Sequence, residues 1–108
     1  MELMRELSLA PGVSGSEEEI AKIITRELED VADKIEKDSM GNLIATKKGE
    51  KKAPTVMLAA HMDEIGLMVR YIDDNGFIKF SNIGGINDQM LMNQTEIGKH
   101  TSELQSHC

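Results

Sequence analysis

Apolar residues recur along this chain with two different periods, and the change of period divides it. Leu3, Met4 and Leu7 share one face of a short helix predicted over Glu2 to Leu9, which Pro11-Gly12 ends. Ile20, Ile23, Ile24, Leu28 and Val31 recur at helical spacing, with Lys22, Arg26 and Glu29 opposite them, and predict an amphipathic helix to about Val31. Ser16 with Glu19 three residues on has the form of a capping box. Glu17 and Glu18 suit the positive end of the helix dipole. The period then shortens. Lys34 to Asp38 and Leu43 to Thr46 read as short strands about a Ser39-Met40-Gly41-Asn42 turn, and Lys47 to Lys52 reads as a charged hairpin loop. Thr55-Val56-Met57-Leu58-Ala59-Ala60 is a continuous apolar run, the pattern of a strand buried on both faces. Ile65 to Ile72 and Phe77 to Phe80 read as a further hairpin about Asp73-Asp74-Asn75-Gly76. Ile83-Gly84-Gly85-Ile86 breaks the pattern. After Gln94 only Ile97 and Leu104 are aliphatic, no period survives, and residues 95–108 are expected to form a divergent, disordered tail.

This order of elements predicts an α/β fold: a mixed sheet with about two helices and the 55–60 strand at its centre. A strand buried on both faces needs neighbours on each side and helices above and below. The sheet so implied is larger than 108 residues complete. Aromatic residues make up only 3% of the chain, so its core must come from aliphatic residues and eight methionines. The net charge of −7 gives no electrostatic attraction to nucleic acid or to an anionic membrane. Cys108 is the only cysteine, so no internal disulfide calls for an oxidising compartment. The N-terminus has acidic residues and no long apolar run, unlike a secretory signal, and the cytoplasm is the expected location.

The chemistry concentrates where the apolar run ends, at Ala59-Ala60-His61-Met62-Asp63-Glu64-Ile65-Gly66. Ligands of α/β sheets bind just beyond the carboxyl ends of strands. His61 and Asp63 lie two apart and point the same way on an extended chain. His61 offers an imidazole for a metal, and Asp63 a carboxylate to orient it or a catalytic group. A histidine at a strand end is otherwise an ordinary hydrogen-bonded residue. Glu64 reads as a solvated neighbour rather than a general base, and His100 and His107 read as tail residues. Gly84-Gly85 is no phosphate loop, because neither Lys-Ser/Thr nor a helix pattern follows it.

Four blocks carry a resemblance. They are Ala10-Pro11-Gly12-Val13-Ser14-Gly15 with Glu18; Asp38 with Gly41-Asn42-Leu43-Ile44-Ala45; Leu58 through Val69; and Gly76-Phe77 through Ile83-Gly84-Gly85. In order and spacing they resemble the tetrahedral (TET), glutamyl and deblocking aminopeptidase family. The resemblance covers residues 1–94 and implies part of a metallopeptidase, phosphorylase/hydrolase-like catalytic domain running into the start of a small β domain. It implies that His61 is a ligand of one of two divalent metals, zinc or cobalt, and that Asp63 is the aspartate supporting the site. The implied reaction removes N-terminal residues from peptides, with a glutamate as general base and water activated between the metals. That glutamate and the remaining ligands match no position here, whereas a catalytic zinc site takes about three protein ligands.

The expectation is therefore a truncated member of that family, inactive alone and prone to self-association through apolar faces left uncovered. The family's dimers and dodecamers depend on a small domain of which little is expected here. The alternatives are a non-catalytic interaction partner and an oligomerising metal-binding protein.

Overall fold

The computed structural model describes residues 2–50, 53–92 and 94. Helix α1 (Glu2–Leu9) and helix α2 (Glu18–Leu28) precede two hairpins, β1 (Lys34–Lys37) with β2 (Leu43–Thr46) and β3 (Gly66–Ile72) with β4 (Ile78–Ile83). A single turn of 3₁₀ helix follows at Asp88–Leu91. The α/β class with two helices holds, but the strands form two separate antiparallel pairs. The one parallel pairing among the described residues is an isolated bridge between Val13 and Glu64.

Each element has a local cause. α1 has the bounds that its apolar face predicts. α2 begins one residue later than a Ser16 cap would place it. Glu17 stands at its N-cap with no side-chain cap bond, and its carboxylate instead accepts the Gly15 N–H at 2.6 Å. The helix stops at Leu28 rather than Val31 because the turn tightens: the Val31 and Ala32 N–H groups both donate to the Leu28 carbonyl. Arg26 reaches back from α2 to α1, where its guanidinium holds both Glu6 carboxylate oxygens at 2.8 and 2.6 Å.

The β1–β2 turn is organised by Asp38. Its Oδ1 accepts the Met40 and Asn42 N–H groups at 2.9 and 2.8 Å, its Oδ2 accepts the Asn42 amide, and Gly41 supplies the left-handed residue at φ 90°. Asp73 does the same for β3–β4, accepting the Asn75 and Phe77 N–H groups, with Gly76 at φ 85°. A bulge between Val69 and Tyr71 leaves Arg70 as the extra residue of β3.

The strand expected at 55–60 is absent. Residues 53–63 have no regular structure, and Val56, Met57 and Leu58 are 77, 84 and 94% exposed. No backbone hydrogen bond involves residues 54–60 among those described. The sequence reports what this segment prefers once covered, but a strand is a property of a pair, and no described segment lies beside it. The 47–52 stretch, read as a hairpin loop, includes Lys51 and Lys52, which lie outside the described residues; the described residues 53–60 beyond it form no strand that could pair with β2. Among the described residues the buried apolar side chains are Ile20 and Ala21, both on α2, and Ile20 lies beneath the loop that follows α1.

Candidate functional site

The loop after α1 and the segment after the apolar run lie against each other although about fifty residues separate them. The Glu64 N–H donates to the Gly12 carbonyl at 2.8 Å, and the Gly12 N–H donates back to Glu64 Oε1 at 3.2 Å. Two glycines allow the close approach. A Cβ on Gly66 would stand 2.6 Å from Val13 Cγ2, and one on Gly12 would stand 2.7 Å from Ile20 Cγ1. Val13 thus seats on the start of β3, while Ile20 supports the loop from α2.

This clamp presents His61 and Asp63. The His61 ring Nδ1 lies 2.9 Å from the Asp63 carbonyl and 3.2 Å from Asp63 Oδ1. Both are acceptors, so in the neutral ring the proton belongs on Nδ1. Nε2, the other nitrogen, makes no hydrogen bond among the described residues, and the side chain is 85% exposed. The second Asp63 oxygen, Oδ2, accepts the Ser14 hydroxyl. That bond is the main reason the Asp63 carboxyl titrates below its ordinary range; the nearby imidazole adds to it and partial desolvation opposes it. Beside these residues lies a cleft of about 230 Å³, lined by Leu7, Ala10, Ile24 and Met62 as well as by the clamp.

The arrangement has the form of one metal ligand with its orienting carboxylate: Nδ1 is held by acceptors and the Nε2 lone pair is presented outward. The donor set goes no further. Among the described residues no three His, Cys, Asp or Glu side chains gather where a metal ion could be held. His61 and Asp63 fit the edge of a metal centre and do not make a complete one. Glu64 spends one carboxylate oxygen on the Gly12 N–H, which anchors the loop. His100 and His107 lie outside the described residues.

Sequence spacing placed His61 beside Asp63, and the structure brings them into contact. Spacing did not reveal Ser14, because the Ser14–Asp63 pairing spans 49 positions. A signal was present nonetheless in the two blocks that contain them, which touch.

Comparison with known proteins gives this geometry a family. The sequence pattern of the M42 glutamyl aminopeptidases matches residues 41–104, more than half of the chain. The chain belongs to that family. The M42 match includes His61, Asp63 and both strands of the β3–β4 hairpin, and it extends into the stretch beyond Gln94. The lysyl aminopeptidase of Pyrococcus furiosus is 47% identical over 94 residues, 86% of this chain and 27% of its own length. A TET aminopeptidase from a marine-sediment archaeon of the Thaumarchaeota superposes with a TM-score of 0.83 at 35% identity, over 90% of this chain and 27% of its own. An aminopeptidase from the archaeon Desulfurococcus kamchatkensis superposes with a TM-score of 0.92 at 31% identity, over 98% of this chain and 29% of its own. This M42 chain spans about a quarter of the length of the curated relatives it matches. No described helix is long and apolar enough to cross a membrane.

Proposed function

We propose that these residues supply one edge of a metal-dependent aminopeptidase site, which removes N-terminal residues from peptides, and that they do not turn over substrate alone. The observation that carries this reading is the His61 imidazole, whose Nδ1 is held by Asp63 and whose Nε2 is left facing outward. His61 is the metal ligand, and Asp63 orients it. A divalent ion, zinc or cobalt, would supply positive charge to polarise a peptide carbonyl and acidify water. Further donors and a general base must join His61 before hydrolysis can occur. Cys108 asks for no oxidising compartment, which suits a cytoplasmic peptidase.

Aminopeptidase assays on the purified chain, with added zinc or cobalt and a panel of amino-acid arylamides, are expected to show no turnover. Turnover abolished by His61→Ala would mean that a working site assembles from this chain alone. In parallel, cobalt(II) is expected to broaden the His61 ring signals selectively in NMR spectra. Broadening that ignores His61 would remove it as a ligand.

A second reading rests on the exposure of Val56, Met57 and Leu58. Three large apolar side chains on unpaired backbone suit self-association or a non-catalytic partner that docks on a peptidase. A shift in oligomer size on mixing with a full-length family member would support it.

A further inference from the structure

We infer that Ser14 is a positioning residue that acts on His61 through Asp63, so that the loop after α1 sets the orientation of the imidazole. The inference rests on the reading of His61 as a metal ligand and extends that site to a residue that does not itself ligate the metal.

The geometry is a three-member relay. The Ser14 hydroxyl donates to Asp63 Oδ2, and Asp63 Oδ1 faces His61 Nδ1 at 3.2 Å. A hydroxyl proton rotates to suit its acceptor, so Ser14 can follow the carboxylate but can donate only to one oxygen at a time. With Oδ2 engaged, the carboxylate plane is fixed and Oδ1 is directed to the ring. Asp63 holds His61 by a second grip, its own carbonyl at 2.9 Å from Nδ1. That grip is backbone and independent of Ser14. The carboxylate grip is the adjustable one, and it bears on ring tilt and tautomer together. Without it, Asp63 can swing to solvent, and the ring gains access to the alternative form protonated at Nε2. In that form no lone pair faces outward, and a metal must first displace a proton.

Ser14 is exposed, and the loop that carries it is held by other bonds: Glu64 N–H to the Gly12 carbonyl, Gly12 N–H to Glu64 Oε1, and Val13 against Gly66. Removing the hydroxyl therefore leaves the clamp standing. This separates a positioning role from a merely structural one.

The test uses the full 108-residue chain with ¹⁵N-labelled histidine. Nδ1 and Nε2 of His61 are read by long-range ¹⁵N–¹H correlation at a pH where the ring is neutral, and His61→Gln identifies its signals among those of the three histidines. The native chain is expected to show the Nδ1–H tautomer. Ser14→Ala should move the two ring nitrogens toward each other in shift, Ser14→Thr should restore the native pattern, and amide signals of α2 and β3 should stay in place. In an Asp63→Ala background, Ser14→Ala should change nothing further. Unmoved ring signals in Ser14→Ala, or a change that persists without the Asp63 carboxylate, would overturn the relay. Cobalt broadening of His61 is scored separately. Its loss in the native chain, with the tautomer response intact, would sink the metal-ligand reading and leave the relay standing; the reverse pattern would sink the relay alone.

Discussion

Two adjacent stretches of this chain behave in opposite ways. Residues 61–66 carry three polar or charged side chains and a glycine, yet they are held: the clamp ties them to residues 12–14 by a backbone bond, a carboxylate, a hydroxyl and the Val13–Gly66 contact. Residues 55–60 are the most apolar run of the chain, yet Val56, Met57 and Leu58 stand open to water. Hydrophobicity alone does not order a segment. It stabilises only through a surface that removes the side chains from water, and pairing satisfies backbone only when a second strand is present. The polar stretch found its complement within the chain, in the loop after α1. The apolar stretch did not find one among the described residues.

The largest effect is expected where the clamp is tightest. In Gly66→Ala the new methyl would meet Val13 Cγ2 at 2.6 Å, Cγ1 at 2.9 Å and Cβ at 3.3 Å. Valine is stiff at χ1, so the clash cannot be relieved by a rotamer change and must push the loop away from β3. We expect a loss of about 1–3 kcal/mol, the usual range for an overpacked contact, measured by urea unfolding followed by circular dichroism. Val13→Ala in the same chain should recover most of it. A Gly66→Ala chain as stable as the native one would mean that the two segments are not clamped, and the contrast with residues 55–60 would disappear.

How far the fold was legible follows the same division. Elements stabilised by nearest neighbours could be read. α1 and β2 have the bounds that the pattern predicts, and both Asp-led turns lie where Gly41 and Gly76 allow φ > 0. Errors arose where two local partners compete: Glu17 at the N-cap in place of Ser16, and the tightened turn after Leu28 that keeps Val31 out of α2. What could not be read depends on distance. Nothing local to Thr55–Ala60 says whether a neighbouring strand is present, and nothing local to Ser14 says that Asp63 lies beside it. That His61 meets Asp63 could be read because two-residue spacing is itself a geometric statement.

A smaller effect distinguishes the β1–β2 turn from helix α2 by pH. The Asp38 carboxyl is held below its ordinary range, mainly by the Asn42 side-chain amide and then by the Asn42 N–H, with the Met40 and Gly41 N–H groups adding to them. A carboxyl whose folded pKa is lowered contributes stability that is fully present above its unfolded pKa. That contribution is lost as pH falls through the folded pKa. The β1–β2 turn should therefore loosen only in acid, below the ordinary aspartate range, and should be insensitive to pH near neutrality. Amide exchange at Met40 and Asn42 across an acid titration would show it, and Asp38→Ala should abolish the pH response. Exchange that rises equally at Ala21 of α2, whose N–H donates to the Glu17 carbonyl, would point to global acid unfolding instead.

The smallest effect on stability is the sharpest statement about the apolar run. A leucine in a packed strand cannot become lysine without burying an unpaired charge or losing its packing, at a cost of several kcal/mol. Leu58 is 94% exposed, so in this chain Leu58→Lys should change the unfolding free energy by no more than about 0.5 kcal/mol, the range of an ordinary surface substitution. The same substitution should strongly reduce self-association in sedimentation velocity, because a charge blunts an unpaired apolar strand edge. The two readouts carry different information. A large stability loss with association unchanged would place Leu58 inside a packed monomer and refute the open segment. Unchanged stability with unchanged association would keep the segment open but move the self-association surface elsewhere, to the exposed faces of β3 and β4 around Val69, Tyr71 and Phe80. Only the expected pair, stability held and association lost, makes residues 55–60 a strand waiting for a partner.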